Sequence, residues 1–199
     1  MRKILISLIL IFNLVMKVQS QTFYSDPFAH TFSIVARDPV TGEMGVAVQS
    51  HWFSVGSIVS WGEAGVGVVA TQSFVNPSFG IRGLELLKSG KTPQEAVDEL
   101  IASDEGKDVR QLAILDSKGR SASYTGKNCI KYAGNIVGEN FSVQANMMLT
   151  DKVWPAMSEA FKNSSGPLAE RMITALEACL LYTSPSPRDR TRSRMPSSA

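Results

Sequence analysis

The sequence predicts an α+β domain in which antiparallel sheets are covered by helices. Three observations predict it: an apolar hairpin near the start, two helical segments in the middle, and further strands that lead into a second helical region. This order favours layered antiparallel sheets over a doubly wound parallel sheet, in which strands and helices alternate. About 150 residues lie between the two chain ends, enough for one domain with its own core.

The first element is a hairpin within residues 30–50, HTFSIVARDPVTGEMGVAVQS. From Phe32 onward, apolar residues recur with the period of two that is typical of a strand. Pro39 cannot donate to a strand ladder and Gly42 tolerates a positive φ, so the chain is predicted to reverse between them. Ser33 is predicted to face solvent, on the opposite side of the strand from Phe32.

Two further segments, Val55–Val59 and Val66–Thr71, are apolar and β-branched, which predicts buried strands separated by a turn. A polar stretch follows, and then a helix that contains Leu84–Lys88 and has Ile81 on the same face. Gly90 is predicted to end this helix.

The next helix has a clear beginning. Thr92 is the expected N-cap, Pro93 occupies the first helical position, and Glu95 stands where a capping box requires an acidic residue. Strand character returns at Gln111–Leu115, with two later segments predicted as strands and a final region predicted as helical. Those segments are Ser121–Tyr124, Ile136–Asn146 and Lys152–Ala178, the last interrupted near its middle.

The N-terminal residues 1–20 have the pattern of a secretory signal peptide. Two basic residues precede the apolar run Ile4–Met16, whose 13 residues are fewer than the roughly 20 that a membrane span needs. We therefore expect cleavage near Ser20, a secreted or periplasmic location, and no stable membrane insertion afterwards. A membrane anchor is the alternative interpretation.

The C-terminal residues 180–199, LLYTSPSPRDRTRSRMPSSA, have no apolar period and alternate arginine with polar residues. This composition predicts a disordered tail. Its residue order resembles translated adaptor sequence, so we expect a non-native extension. The domain before it is then expected to be incomplete at its C-terminal end. Such a fragment is expected to expose a sheet edge and to be poorly soluble. A basic tail that binds nucleic acid or membrane is the alternative.

The charge distribution argues against a nucleic-acid partner. Removing the three basic residues of the signal peptide takes the net charge from +2 to −1, and removing four arginines and one aspartate of the tail takes it to −4. The remaining domain is mildly acidic and has no basic stripe interleaved with aromatic residues.

Conventional catalytic and metal motifs are missing from the sequence. The histidines are His30 and His51, which are too few for a multi-histidine metal site, and His51 is expected to be structural. Cys129 is expected to be a small buried residue, and together with Cys179 it does not suggest a disulfide framework. No metal or cofactor is therefore expected.

Several long segments resemble one family. TFSIVARDPVTGEMGVAVQS, AGVGVVATQSFVNPSFGIRGLELL, RQLAILDSKGRSASYTG and FSVQANMM occur in this order and resemble the DUF1028 family, uncharacterised proteins assigned to the Ntn-hydrolase-like superfamily. The resemblance covers roughly Thr31 to Glu177. It implies a four-layer αββα sandwich with two packed antiparallel sheets, and a domain over residues 31–179.

In Ntn hydrolases the nucleophile is an N-terminal Thr, Ser or Cys at the start of the first strand, and its own α-amine acts as the base. Thr31 matches that position, so residues 21–30 would be a short N-terminal extension or propeptide. An α-amine titrates near pH ~7.7–8, so it can accept a hydroxyl proton close to neutrality. Asn146 resembles the strand-borne asparagine that some Ntn hydrolases use.

Other polar residues are candidates to complete the site. Ser50, Gln72 and Asn76 could supply hydrogen-bond donors, and backbone N–H groups near Gly65 or Gly80 could form an oxyanion site. Alternatively, Gln72 and Asn76 satisfy backbone groups of turns and helix starts. The chain differs from proteasome β subunits, because it has no lysine between its first and fourth predicted strands.

The resemblance implies an exported amide hydrolase with Thr31 as nucleophile and an unknown small-molecule or peptide substrate. The alternative is a non-catalytic exported domain that uses the same fold for binding or assembly. Cleavage between His30 and Thr31 would distinguish the two. The sequence is compatible with a homo-oligomer.

Overall fold

The computed structural model describes residues 30–180, and the predictions for the signal peptide, the segment before His30 and the tail concern residues outside this range. The described part contains eight strands, five α-helices and a 3₁₀ turn at Lys107–Val109. The strands are β1 (Thr31–Arg37), β2 (Met44–Ser50), β3 (Ser60–Glu63), β4 (Gly67–Ser73), β5 (Arg110–Asp116), β6 (Ser121–Thr125), β7 (Gly134–Gly138) and β8 (Phe141–Asn146). The helices are α1 (Gly56–Val59), α2 (Ser78–Lys88), α3 (Pro93–Ala102), α4 (Val153–Asn163) and α5 (Leu168–Leu180).

The strands form two antiparallel sheets. The first has the order β2-β1-β8-β7 and the second has the order β3-β4-β5-β6. Helices α4 and α5 pack on the first sheet, α2 and α3 pack on the second, and the two sheets contact each other through β1, β4, β5 and β8. The predicted α+β class and the four-layer αββα sandwich are confirmed.

Strand β1 shows how the sequence pattern produces these layers. Phe32 and Ile34 point to the helical side and join a core with residues of β8, α4 and α5. Val35 points the other way, into a core between the sheets that includes Leu115 of β5. The prediction that Ser33 faces solvent is wrong: this serine is fully buried, because the opposite face of β1 is covered by the second sheet.

Most predicted elements are found near their predicted positions, but two differ. Residues 55–59 were predicted as a strand and instead contain the short helix α1, and the strand follows at Ser60–Glu63. The segment predicted as one strand over residues 136–146 is the β7–β8 hairpin, in which Gly138 pairs with Phe141. Asn140 makes this reversal with a φ of 62°, a conformation that asparagine tolerates better than most residues.

The predicted start of α3 is confirmed in detail. The Thr92 hydroxyl accepts a hydrogen bond from the Glu95 backbone N–H, and the Glu95 carboxylate accepts one from the Thr92 backbone N–H at 2.7 Å. Pro93 is the first helical residue. Across residues 30–180, none of the helices has the length and apolar character needed to span a bilayer.

Candidate active site

Thr31 begins β1 at one end of the space between the sheets. It is opposite Ser50 in the β1–β2 ladder and opposite Asn146 in the β1–β8 ladder. Residues directly opposite in antiparallel strands share a face, so these three side chains are neighbours. Thr31 is 5% exposed, and its Oγ1 lies 2.8 Å from Ser50 Oγ. The structure therefore brings together three of the predicted site residues.

A second contact of the Ser50 hydroxyl is compatible with donation to Thr31. Ser50 Oγ accepts a hydrogen bond from the Trp52 backbone N–H at 3.1 Å, so its own O–H is available to donate. When Ser50 donates to Thr31 Oγ1, the Thr31 hydroxyl hydrogen remains available for a base. This arrangement suits a hydroxyl that must lose its proton.

Gln111 of β5 is the centre of a buried hydrogen-bond network beneath Thr31. Its Nε2 donates to the carbonyl oxygens of Gly134 and Ala145 at 3.2 and 3.0 Å. Backbone carbonyls only accept, so the amide group of Gln111 must face them and its Oε1 must point the other way. Gln72 and Asn146 both donate their amide N–H groups to this oxygen.

The same reasoning orients the next members of the network. Since Gln72 presents its NH₂ to Gln111, its Oε1 faces Ser33, whose hydroxyl donates to it at 2.8 Å. Ser33 Oγ in turn accepts from Gln144 Nε2 at 2.6 Å. All of these side chains are buried. The predicted site residue Gln72 is therefore part of a chain of hydrogen bonds that connects both sheets.

Asn146 is the one amide of this network whose oxygen has no hydrogen-bond partner among the described residues. Its Nδ2 is 3.0 Å from Gln111 Oε1, which leaves Oδ1 buried and unpartnered. A buried acceptor without a donor costs roughly 1–3 kcal/mol. Such a group is an available acceptor beside Thr31, and native proteins tolerate few of them.

A cavity of about 320 Å³ opens at Thr31. Thr31 and Gln72 contribute polar atoms, whereas most of the wall is apolar, and none of its side chains carries a formal charge. The complete lining is Thr31, Trp52, Phe53, Val55, Ile58, Val59, Gln72, Ser73, Phe74, Val75, Ile130 and Met147. We call this cavity the Thr31 pocket. A mainly apolar cavity with a few convergent polar groups is the usual form of a small-molecule site.

The rim of the Thr31 pocket exposes large apolar side chains to solvent. Trp52 is 64% exposed, Phe53 97% and Phe74 56%, and Ile58 and Ile130 are also exposed. Single exposed apolar residues are ordinary on protein surfaces, but a group of five around one cavity indicates a binding surface.

Unusual backbone conformations concentrate at the same place. Ser54, Ser73 and Met147 have positive φ values of 55°, 69° and 58°. Ser73 ends β4, Met147 directly follows β8, and both line the Thr31 pocket. Ser54 lies between two lining residues. Non-glycine residues in this region carry strain that the surrounding structure must hold, and such residues cluster at functional sites.

An ion pair supports the rim. Arg110 Nη1 donates to the carbonyl oxygen of Phe74 at 2.6 Å, and Arg110 Nε donates to Asp104 at 2.6 Å. The hydrogen bond from the Arg110 guanidinium holds the pKa of the Asp104 carboxyl below its usual range. Arg110 is thereby neutralised, so it anchors the loop that carries Phe74 without adding net charge beside the pocket.

Both histidines lie beside the peptide bond that precedes Thr31. His30 is buried, its backbone N–H donates to Nδ1 of His51 at 3.2 Å, and the two rings meet edge to face with centroids 5.2 Å apart. His30 Nδ1 also contacts the carbonyl oxygen of Met147 at 2.5 Å. His30 is thus held by the residues that directly follow β2 and β8.

Three other sequence candidates lie elsewhere. Asn76 Oδ1 accepts from the backbone N–H and the hydroxyl of Ser78, so this asparagine supports the start of α2, as the alternative interpretation expected. Gly80 lies inside α2 against Trp61, and Gly65 lines a separate cavity. None of the three borders the Thr31 pocket.

Cys129 is buried, as expected, and burial raises the pKa of its thiol, which makes it a poor nucleophile. Within residues 30–180, no group of three or more His, Cys, Asp or Glu side chains is arranged to hold a metal ion.

Sequence reasoning missed Gln111, Ser33 and Gln144. A signal was present for Gln111, because the period of two in RQLAILD places it on the same strand face as Ala113 and Leu115. A polar residue in phase with buried apolar ones is a candidate for a buried network.

Comparison with known proteins agrees with this fold. The DUF1028 family of unknown function matches residues 31–181. The crystal structure of protein SPO2555 from Silicibacter pomeroyi, a DUF1028 protein, has a TM-score of 0.74 and 33% sequence identity, and the match covers 76% of this chain and 67% of that one. No curated protein matches the chain. The match over residues 31–181 and the shared fold show that the chain belongs to the DUF1028 family.

Proposed function

We propose that this protein is an exported amide hydrolase in which Thr31, freed from His30, is both nucleophile and base. The observation that carries the proposal is the position of Thr31: it begins β1, its hydroxyl contacts Ser50 at 2.8 Å, and it borders an apolar pocket. A hydroxyl at a strand start with an adjacent α-amine meets the minimum requirement for an activated nucleophile.

The proposed reaction has two steps. The α-amine of Thr31 takes the proton of Oγ1, Oγ1 bonds to the substrate carbonyl carbon, and the carbon–nitrogen bond breaks as the amine returns the proton to the leaving nitrogen. Water, deprotonated by the same amine, then cleaves the ester and restores the Thr31 hydroxyl. Neither step needs a redox partner.

Two neighbouring residues have roles in this proposal. Ser50 donates a hydrogen bond to Thr31 Oγ1 and so stabilises the negative charge that develops there. Asn146, opposite Thr31 in the ladder, has a buried oxygen that can accept from the α-ammonium group while that group holds the proton.

The test is the intact mass and N-terminal sequence of the protein secreted from cells that express the full reading frame with its native C-terminus. The expected result is a chain that begins at Thr31. Thr31→Ser should keep amide hydrolysis and Thr31→Ala should abolish it. A secreted chain that begins at Gln21 and has no free Thr31 amine would overturn the proposal.

A non-catalytic binding domain is the alternative function, and one specific observation favours it. The exposed rim residues Trp52, Phe53 and Phe74 would serve a binding partner as well as a substrate. This alternative predicts that the secreted protein keeps Thr31 joined to His30 and binds a ligand without cleaving an amide bond.

A further inference from the structure

We propose that the Thr31 pocket selects amides whose group next to the scissile carbonyl is apolar and uncharged, such as an aromatic or branched aliphatic group of up to about ten non-hydrogen atoms. This inference rests on the proposed function, because it assigns the substrate class of the same site.

The size limit follows from the cavity. Its volume is about 320 Å³. An apolar cavity of about 150 Å³ is large enough to bind benzene, so a cavity of this volume has room for a somewhat larger group. A phenylalanine or leucine side chain together with its carbonyl fits within this limit, whereas a long lipid chain would extend past the rim.

The preference for an uncharged group follows from the wall. In the chain that begins at Thr31, the α-ammonium lies at the reacting end of the pocket, whereas the side chains of the wall carry no charge. A charged substrate side chain placed against this wall therefore loses hydration that the wall does not replace. Arg110, which holds the Phe74 carbonyl at the rim, is already paired with Asp104. The polar contributions of Thr31 and Gln72 come from neutral side chains, and Gln72 is committed to the buried network.

The apolar rim extends the same preference to the entrance. Phe74 and Ile130 are 56% and 46% exposed, and both line the cavity. An apolar group that enters would cover these side chains and remove them from water, which favours binding in proportion to the area covered.

The experiment uses α,β-epoxyketones that differ only in one side chain. The Thr31 hydroxyl adds to the ketone and the Thr31 amine then opens the epoxide, so nothing leaves and the protein gains the full mass of the probe. Acetylated probes with phenylalanine, leucine, glutamate and lysine side chains are incubated with the chain that begins at Thr31, and labelling is followed by intact mass. We expect the phenylalanine and leucine probes to label at least tenfold faster than the charged probes.

Two variants test whether the pocket causes the preference. Ile130→Lys places a positive charge on the wall and should raise the labelling rate of the glutamate probe relative to the lysine probe. Ile81→Lys is the matched control, because Ile81 is similarly exposed but lies on α2 outside the pocket. This control should leave the order of the four probes unchanged.

The outcomes separate the two proposals. Equal labelling by all four probes would support the hydrolase and overturn the apolar preference. If no probe labels Thr31, the proposed function fails, and the preference is then decided by binding of acetyl-phenylalanine amide and acetyl-glutamate amide to Thr31→Ala, measured by NMR shifts of pocket methyl groups. Tighter binding of the phenylalanine compound would support the preference, and equal or absent binding would overturn it.

Discussion

Gln111 contacts groups from four strands although it is a single neutral side chain. Its Nε2 lies near the Thr125 hydroxyl and near two backbone carbonyl oxygens, and its Oε1 receives Gln72 and Asn146. The orientation of Gln111 determines which end of the Gln72 and Asn146 amide groups faces it. The orientation of these two side chains next to Thr31 therefore depends on Gln111.

Replacing Gln111 with leucine should destabilise the fold by about 2 to 4 kcal/mol, since it leaves buried donors of Gln72 and Asn146 without an acceptor. Urea unfolding measures the change. Gln94→Leu is the control, because Gln94 is exposed on α3, and it should change the stability by less than about 0.5 kcal/mol. Equal effects of the two substitutions would show that the network adds no stability.

Removing the Ser50 hydroxyl tests whether Ser50 contributes to the reactivity of Thr31. Ser50→Ala removes the hydroxyl 2.8 Å from Thr31 Oγ1, and the epoxyketone labelling rate of Thr31 should fall about tenfold, the loss of one hydrogen bond to a developing charge. Ser89→Ala removes a surface hydroxyl of similar size and should leave the rate unchanged. An unchanged rate in Ser50→Ala would mean that Ser50 is only a structural neighbour.

Helix α3 shows how much of an element can be predicted from local sequence. Thr92, Pro93 and Glu95 satisfy the helix start by themselves, without help from distant residues, and the predicted cap was confirmed. The β7–β8 hairpin was missed although Gly138 and Asn140, residue types common in turns, stand at its reversal between two apolar stretches.

The cap of α3 should make stability depend on pH. Hydrogen bonds from the Thr92 backbone N–H and hydroxyl lower the pKa of the Glu95 carboxyl below its ordinary value of 4.5. A carboxyl with a lowered folded pKa stabilises the fold above its ordinary value, and this contribution is lost as the pH falls through the folded pKa. Glu95→Gln should therefore lower Tm more at pH 7 than at pH 2, where the carboxyl is closer to full protonation in both states. Ile81→Ala, at an exposed position of α2 without an ionisable group, should have the same effect at both pH values. A constant Glu95→Gln effect at both pH values would contradict the prediction.

Helix α2 approaches the second sheet closely at Gly80. A methyl group there would overlap the indole ring of Trp61, so Gly80→Ala should cost about 1 to 3 kcal/mol and shift the Trp61 fluorescence. Gly56→Ala is the matched control, since Gly56 is also helical and the position that its Cβ would take is open. Thermal unfolding of both variants measures this cost. Equal Tm values would show that α2 can move away from the sheet.

At the scale of the molecule, the layer between the sheets has two different ends. Val35, Val68 and Leu115 make one end apolar, and the buried network with Gln111 makes the other end polar, next to Thr31. The apolar layers could be predicted because they repeat along each strand. The polar end could not, because Ser33 and Gln144 are 111 residues apart and meet only when β1 pairs with β8.

Because the two sheets share this layer, each sheet with its helices should unfold in the same transition. Trp61 packs with the helices of the second sheet and Trp154 with those of the first, so variants that keep one tryptophan report on opposite outer layers. Leu115→Ala should cost about 2 to 5 kcal/mol, because Leu115 is fully buried between the sheets. In urea, both reporters should show the same midpoint before the substitution and the same lower midpoint after it.

Ile173→Ala is the control for this experiment, since Ile173 is half exposed on α5, and both midpoints should stay almost unchanged. Two separate midpoints, or a shift seen only by Trp61, would mean that each sheet and its helices form an independent cooperative unit. In that case the groups around Thr31, which come from both sheets, would be held together only while both units are folded. The site would then lose its geometry at the lower of the two midpoints, whereas a single transition preserves it up to the stability limit of the whole molecule.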